Sequence, residues 1–243
     1  MASPMLGEFM GTLVLVLLGN GVIADVVLGR SKGEGGGWMS VATGWGFAAM
    51  AGIFTANACG SRDAHINPAI TLGLAIATHD SSKLVPYITA QMLGGFVGAV
   101  LVWLHFLPHW KETPDPMHKL GCFCSYPAIP NVKTNLLSEI IPTFTLAFGA
   151  VCIFSRTSLS GATGGSLAPF LIGGLVWGVI LSMAGPTGTS MNPARDLSSR
   201  IAHAILPIAG KGSSDWGYAP ISLIGTLAGG ALAGVAVHLL HII

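Results

Sequence analysis

Charged side chains are scarce in this sequence, and their scarcity excludes most classes of soluble protein. Asp, Glu, Lys and Arg together make up 9% of the 243 residues, whereas soluble domains carry about 25%. The net charge is only +1, so nothing indicates a nucleic acid or an acidic partner. There are four cysteines, and no pair of them has the spacing of a secreted disulfide framework. We therefore expect no nucleic-acid partner and treat the cysteines as small apolar side chains.

Long uncharged stretches are what the sequence has instead. Hydrophobic residues make up 51% of the chain. A soluble helical core would alternate apolar positions with charged ones, and these stretches do not. A membrane-spanning helix needs about 20 apolar residues. Six spans are predicted, at about residues 5–28, 38–58, 84–107, 135–154, 167–184 and 218–241.

Two shorter segments, at 69–78 and 194–204, are predicted to cross only half of a membrane, because ten helical residues rise about 15 Å. Each follows the second span of a set of three and begins just after a proline. His65-Ile66-Asn67-Pro68-Ala69 before the first segment recurs as Ser190-Met191-Asn192-Pro193-Ala194 before the second. Three spans is an odd number, so a duplicated half must insert upside down. The two Asn-Pro-Ala boxes are then expected to meet at the membrane midplane.

The boxes predict a wet pore on physical grounds alone. Asparagine before a proline at the first helical position is ordinary capping, but here it occurs twice at membrane depth. Irregular backbone is tolerated there only where it lines a cavity, so residues 63–66 and 188–191 are expected to expose carbonyls to the pore. The positive ends of the two half-helices, with the amides of Asn67 and Asn192, would donate to water or hydroxyls and repel cations.

This pattern resembles the aquaporin family, from about Glu8 to the last span. The resemblance implies an all-α membrane protein with six transmembrane helices and two re-entrant half-helices in an inverted 3+3 repeat. It implies one channel domain, 1–243, with repeats of about 1–107 and 135–243. It also implies a homotetramer in the lipid bilayer of the plasma membrane, with cytoplasmic termini. The connection at 108–134 is expected to be either a surface loop or a pore vestibule.

Arg195 directly follows the second box, and an arginine in an uncharged membrane stretch marks a functional position by default. In the family this arginine belongs to the narrowest constriction, where it donates hydrogen bonds to solutes and repels cations. The alternative is a structural ion pair with its neighbour, Asp196.

Three features resemble the glycerol-conducting branch of the family. Asp196 after the second box is typical of that branch. Trp45 aligns with the tryptophan of its constriction, although it would also suit an interfacial anchor. Phe123 with Tyr126-Pro127 resembles its extracellular loop. The implied function is passive conduction of glycerol, other small neutral solutes and water, with exclusion of ions and protons.

The sequence departs from that branch in the last span, where Ser222-Leu223 stands in place of the usual Pro-Leu, and at two positions of the constriction. Thr189 stands where an aromatic is usual, and Ile180 where glycine is usual. The resulting selectivity filter of Trp45, Ile180, Thr189 and Arg195 is similar to that of plant nodulin-like intrinsic proteins, a group associated with glycerol, metalloid hydroxides and lactic acid. Lactic acid or metalloid hydroxides as main solutes are therefore the alternative.

Glu8 and Glu139 occupy matching positions in the first and fourth spans. The resemblance implies that they accept hydrogen bonds from the re-entrant loops, and the alternative is a proton relay in a coupled transporter. His65 either faces the pore or supports the loop, and Ala64 and Ser190 are assigned the same kind of place. No constellation of nucleophile, base or metal ligands is present in the spans, so we expect no enzyme activity, metal or cofactor.

Overall fold

The chain is almost entirely helical. The computed structural model describes residues 2–155 and 164–243, with the backbone alone for 164–166. Within these ranges the chain forms ten helices and no strand. In chain order they are α1 Pro4–Val27, α2 Gly37–Cys59, α3 Pro68–Thr78, α4 Leu84–His105, α5 His109–Glu112, α6 Pro116–Gly121, α7 Val132–Phe154, α8 Gly164–Met183, α9 Pro193–Ile205 and α10 Ala219–Leu239.

The long helices coincide with the predicted spans. The ends of α1, α2, α4, α7, α8 and α10 differ from the predicted ones by at most three residues, as at the start of α7. Five of these helices are long and apolar enough to cross a membrane by length and composition within the described residues. The remaining one, α8, has 20 residues, or about 30 Å of helix. The predicted all-α fold with six spans is therefore confirmed.

The two short helices α3 and α9 begin at the boxes because each asparagine caps a helix that proline can start. Asn67 and Asn192 have extended backbones, and their side-chain oxygens accept from the first N–H groups of the helix. Proline follows at the first helical position, where an N–H would have no partner within the helix, so its absence costs nothing. The sequence thus specifies locally where each half-helix begins.

Helix contacts follow the expected duplication. In the first half α1 packs against α2 and α4, and in the second half α7 packs against α8 and α10. The halves are joined by α2 against α8 and by an exchange of the short helices: α3 packs against α10, and α9 against α4. Each half-helix is therefore held by the last long helix of the other half, as an inverted repeat requires.

The connection between the halves, residues 108–134, was expected to be either a surface loop or a pore vestibule. It is more ordered than a simple loop. It contains the short helices α5 and α6, and it buries Trp110, Leu120 and Phe123 in one apolar cluster with residues of α1, α4 and α9. The apolar residues among its polar ones explain the difference, because they anchor the connection to the helix ends.

Glycines permit the exchanged helices to touch. A Cβ on Gly230 or Gly234 of α10 would overlap backbone atoms of Ala69 or Gly73 in α3. Small residues allow this approach in membrane helices, where packing and not the hydrophobic effect holds helices together. By contrast, no described atom lies within 4 Å of a Cβ added to Gly174 or Gly178. That glycine pair therefore makes no close helix contact with the described residues.

Gly230→Ala is expected to destabilise the protein by about 1–3 kcal/mol, the usual cost of overpacking. The added methyl would push α3, and with it the first box, away from α10. The measurement is the thermal unfolding midpoint of the detergent-solubilised protein. Gly178→Ala is the matched control, since its methyl meets open space and alanine favours helix. Equal midpoints for the two variants would contradict the α3–α10 contact.

Candidate functional site

A cavity of about 910 Å³ lies between the two halves of the chain. It extends from Arg62 and Asp63, in the loop before α3, to Ser125 and Tyr126, in the connection after α6. Apolar side chains of α1, α2, α7 and α8 form most of its wall, while polar groups enter from the loops that precede α3 and α9. The cavity is thus an amphipathic passage with its polar side built by the duplicated loops.

The two box asparagines line this cavity and bind each other's loops. Asn67 donates through Nδ2 to the Met191 carbonyl at 2.9 Å, and Asn192 donates through Nδ2 to the Ile66 carbonyl, also at 2.9 Å. Each Oδ1 is occupied by capping its own helix. A carboxamide has two N–H donors, so each asparagine keeps one for the cavity.

The other box residues are buried behind the asparagines. Pro68 and Ala69 form the first turn of α3, and Pro193 and Ala194 the first turn of α9. None of the four lines the cavity. Their place in the structure is to start the helices and pack them.

The loops before the boxes share an unusual backbone. Ala64 and Ile66 have φ of 41° and 44°, and the matching Thr189 and Met191 have 29° and 53°. Non-glycine residues rarely adopt positive φ, and such conformations persist only where the surroundings enforce them. The sequence repeat therefore extends to a repeated, strained conformation.

This backbone leaves carbonyls facing a cavity. Within the described residues, no donor is recorded for the carbonyls of Ala64, His65, Thr189 and Ser190. All four residues line the cavity. Their carbonyls are available to accept hydrogen bonds from a molecule inside it.

Glu8 of α1 is fully buried and supports the first loop. Its carboxylate accepts from the backbone N–H of His65 at 2.9 Å and of Ile66 at 2.7 Å. It also accepts from the Ser61 hydroxyl and the Gln91 amide. Four donors satisfy a buried charge that would otherwise be costly.

Glu139 of α7 holds the corresponding place in the second loop. It accepts from the backbone N–H of Ser190 at 2.8 Å and from the Tyr218 hydroxyl at 2.8 Å. Like Glu8, it is fully buried and does not line the cavity. Both glutamates therefore lie behind the loops.

The four residues expected to form a selectivity filter all line the cavity and are nearly buried: Trp45, Ile180, Thr189 and Arg195. The Arg195 guanidinium lies 4.9 Å from the centre of the Trp45 ring, within the range of a cation–π contact. Its Nη1 donates to the Ser125 hydroxyl at 2.7 Å. A cation, an indole and a hydroxyl thus meet at one level of the cavity.

Asp196 lies behind Arg195 and outside the cavity wall. One carboxylate oxygen accepts from the Ser125 N–H at 2.7 Å and lies 3.6 Å from Arg195 Nη1. The other accepts from Arg200 at 3.2 Å and from the Ser222 hydroxyl at 3.0 Å. Asp196 therefore pairs mainly with Arg200.

At the other end, His65 lines the cavity beside Asp63. One ring nitrogen lies 3.2 Å from the Asp63 carboxylate and the other 3.1 Å from the Thr71 hydroxyl. Burial would raise the pKa of Asp63, but hydrogen bonds from His65, Lys83 and Tyr87 outweigh it and hold this pKa far below its usual range. Asp63 is consequently a carboxylate at any physiological pH.

Sequence reasoning missed several residues around the site. Ser125 lies within the segment from Phe123 to Pro127 that was singled out, but nothing marked the serine itself. Arg200 could have been found by the argument used for Arg195, since it too is a charge in a membrane segment. Ser61, Thr71, Gln91 and Tyr218 were also missed, and Ser222 was noted only as a departure from the glycerol branch and not as a partner of Asp196. Phe123, which was singled out, does not line the cavity and packs against Trp110 and His203.

Known proteins resemble this chain over nearly its whole length. Residues 2–237 match the family described as "Major intrinsic protein". A probable glycerol uptake facilitator protein of Thermotoga maritima is 49% identical over 231 residues, which cover 95% of this chain and 96% of that protein. Glycerol uptake facilitator protein 3 of Lactiplantibacillus plantarum is 43% identical, covering 99% of this chain and 98% of that protein.

A solved structure shares the fold. The X-ray structure of the aquaglyceroporin from Plasmodium falciparum superposes with a TM-score of 0.78 at 24% identity. The match covers 96% of this chain and 94% of that one. The arrangement of spans and half-helices is thus shared with that structure.

Glu8→Gln is expected to lower the stability of the protein by about 2–3 kcal/mol. The amide of glutamine would turn an N–H group toward the donors that now bind the carboxylate, and its oxygen would accept weaker hydrogen bonds than a carboxylate does. The thermal unfolding midpoint in detergent measures this loss. Glu112→Gln is the control, since its ion pair with Arg30 is exposed and such pairs contribute little. A Glu8→Gln variant as stable as the control would show that the carboxylate does not hold the loop.

Proposed function

The chain belongs to the major intrinsic protein family, and from this premise we propose that it is a passive channel for glycerol, other small neutral solutes and water. The observation that carries the proposal is the pair of asparagines, each with one unpaired N–H, beside unpaired loop carbonyls in an otherwise apolar cavity. A polyol has a hydroxyl edge and a carbon edge, and this cavity offers a partner for each. The relatives named as glycerol uptake facilitators support the same solute.

Conduction in such a passage involves no chemical reaction. Solute hydroxyls exchange water for the carbonyls of residues 64–65 and 189–190 and for the donors of Asn67 and Asn192. Apolar side chains cover the rest of the solute, so the cost of leaving water is offset at each step. We therefore assign no enzyme activity to the chain.

Exclusion of ions follows from the same groups. A cation would lose its hydration shell in an apolar passage and approach the positive ends of α3 and α9. The buried charge of Arg195 adds to this barrier. We assign the selectivity filter to Trp45, Ile180, Thr189 and Arg195, and the support of the loops to Glu8 and Glu139.

The family and the apolar helices make the chain an integral, multi-pass membrane protein. We propose further that it forms a homotetramer of separately conducting subunits in the plasma membrane, with cytoplasmic termini. Chemical cross-linking in the membrane tests the first part of this assignment.

A proton-coupled transporter finds no support in the geometry. Such a mechanism would need Glu8 or Glu139 to exchange protons with the passage. Both carboxylates are held by donors behind the loops and do not line the cavity.

Proteoliposomes containing the protein are expected to take up glycerol well above the rate of protein-free liposomes. The rate should rise in proportion to the glycerol gradient and be unaffected by a pH gradient, because no proton moves with the solute. Stopped-flow light scattering measures both. Water flux without glycerol flux would overturn the glycerol assignment, and uptake driven by the pH gradient would indicate a transporter.

Arg195→Val is expected to raise proton and cation leakage several-fold and to reduce discrimination among neutral solutes, because it removes the buried charge and its donors. A pH-sensitive dye inside the liposomes reports the leakage. Arg30→Val removes an exposed arginine and is the matched control. Leakage equal in both variants would remove Arg195 from the filter.

A further inference from the structure

The connection between the halves enters the cavity at Ser125. This residue is 3% exposed and forms part of the cavity wall. Its N–H donates to Asp196, its carbonyl accepts from Arg200, and its hydroxyl accepts from Arg195, each at 2.7 Å. All three of its polar groups are thus fixed by charged residues of α9.

The hydroxyl proton of Ser125 takes no part in these three hydrogen bonds. A serine hydroxyl has one donor and two acceptor positions, and the arginine uses an acceptor position. Within the described residues, no acceptor is recorded for the proton. It is therefore free for a molecule in the cavity.

We infer that Ser125 is a specificity-determining residue of the constriction, whose hydroxyl donates to one hydroxyl oxygen of a solute while Arg195 donates to the neighbouring one. This rests on the proposed function. The 2.7 Å between Arg195 Nη1 and Ser125 Oγ is comparable with the separation of hydroxyl oxygens on adjacent carbons. The solute class so recognised is a 1,2-diol, to which glycerol belongs.

The charges behind Ser125 make this recognition rigid. Arg200 is fully buried and also donates to the carbonyls of Ser214 and Asp215. Ser125 is therefore held from both sides of its backbone, and substituting its side chain leaves those backbone bonds in place. A rigid donor loses little entropy when a solute binds.

The test compares 1,2-propanediol with 1,3-propanediol, which have the same atoms but differ in hydroxyl spacing. Fluxes into proteoliposomes are measured by light scattering after subtraction of the protein-free rate. Ser125→Ala is expected to lower the ratio of 1,2- to 1,3-propanediol permeability by about fivefold, as for the loss of one uncharged hydrogen bond at the barrier. Ser125→Thr, which keeps a hydroxyl, should retain most of the ratio.

Ser222→Ala is the control that separates recognition of the solute from structural support of Ser125. The Ser222 hydroxyl binds Asp196 and lies outside the cavity. A smaller change of the ratio than in Ser125→Ala is expected. An unchanged ratio in Ser125→Ala, or an equal change in Ser222→Ala, would overturn the inference. Should Ser125→Ala not fold, Ser125→Cys, which keeps the size with a weak donor, takes its place under the same criteria. A wild-type protein that conducts water but no glycerol would instead overturn the proposed function.

Discussion

The two hydrogen bonds that join the box asparagines to each other's loops are the constraint on which the site depends. Each asparagine caps its own half-helix and binds the last carbonyl of the opposite loop. These bonds fix the N-terminal ends of α3 and α9 relative to each other. They therefore also fix the position of the residues on α9, including Arg195. Because each side-chain oxygen caps its own helix and one N–H binds the opposite loop, each asparagine has a second N–H donor for the passage.

The irregular loops exist because buried carboxylates satisfy the backbone that the loops cannot pair themselves. In the first half Glu8 accepts two backbone N–H groups, and in the second Glu139 accepts one. The N–H groups point away from the cavity toward these acceptors, and the carbonyls are left on the other side. A ladder of acceptors facing a passage is therefore a consequence of the glutamate side chains buried behind it.

Much of this could be predicted from the sequence, because the decisive signals are local. Apolar length gave the spans, and each Asn-Pro pair specified where a half-helix begins. The missing parts are contacts between distant segments: nothing near Ser125 or Arg200 indicates that they meet 75 residues apart. The same limit applies to glycines, since Gly230 and Gly178 occur in similar surroundings in the sequence, yet only Gly230 meets a neighbouring helix.

The two halves differ in the residue that lies four positions after the asparagine of each box. The position of Thr71 in α3, four residues after Asn67, is taken in α9 by Asp196. Thr71 is held by neutral Gln91, whereas Asp196 is held by Arg200, Ser222 and the Ser125 N–H. The aspartate is thus nearly saturated by partners other than Arg195. A guanidinium has five N–H donors, and within the described residues only the bond to Ser125 is recorded for that of Arg195. An ion pair with Asp196 and a place in the passage are therefore compatible, because the pair leaves most of the arginine's donors unused.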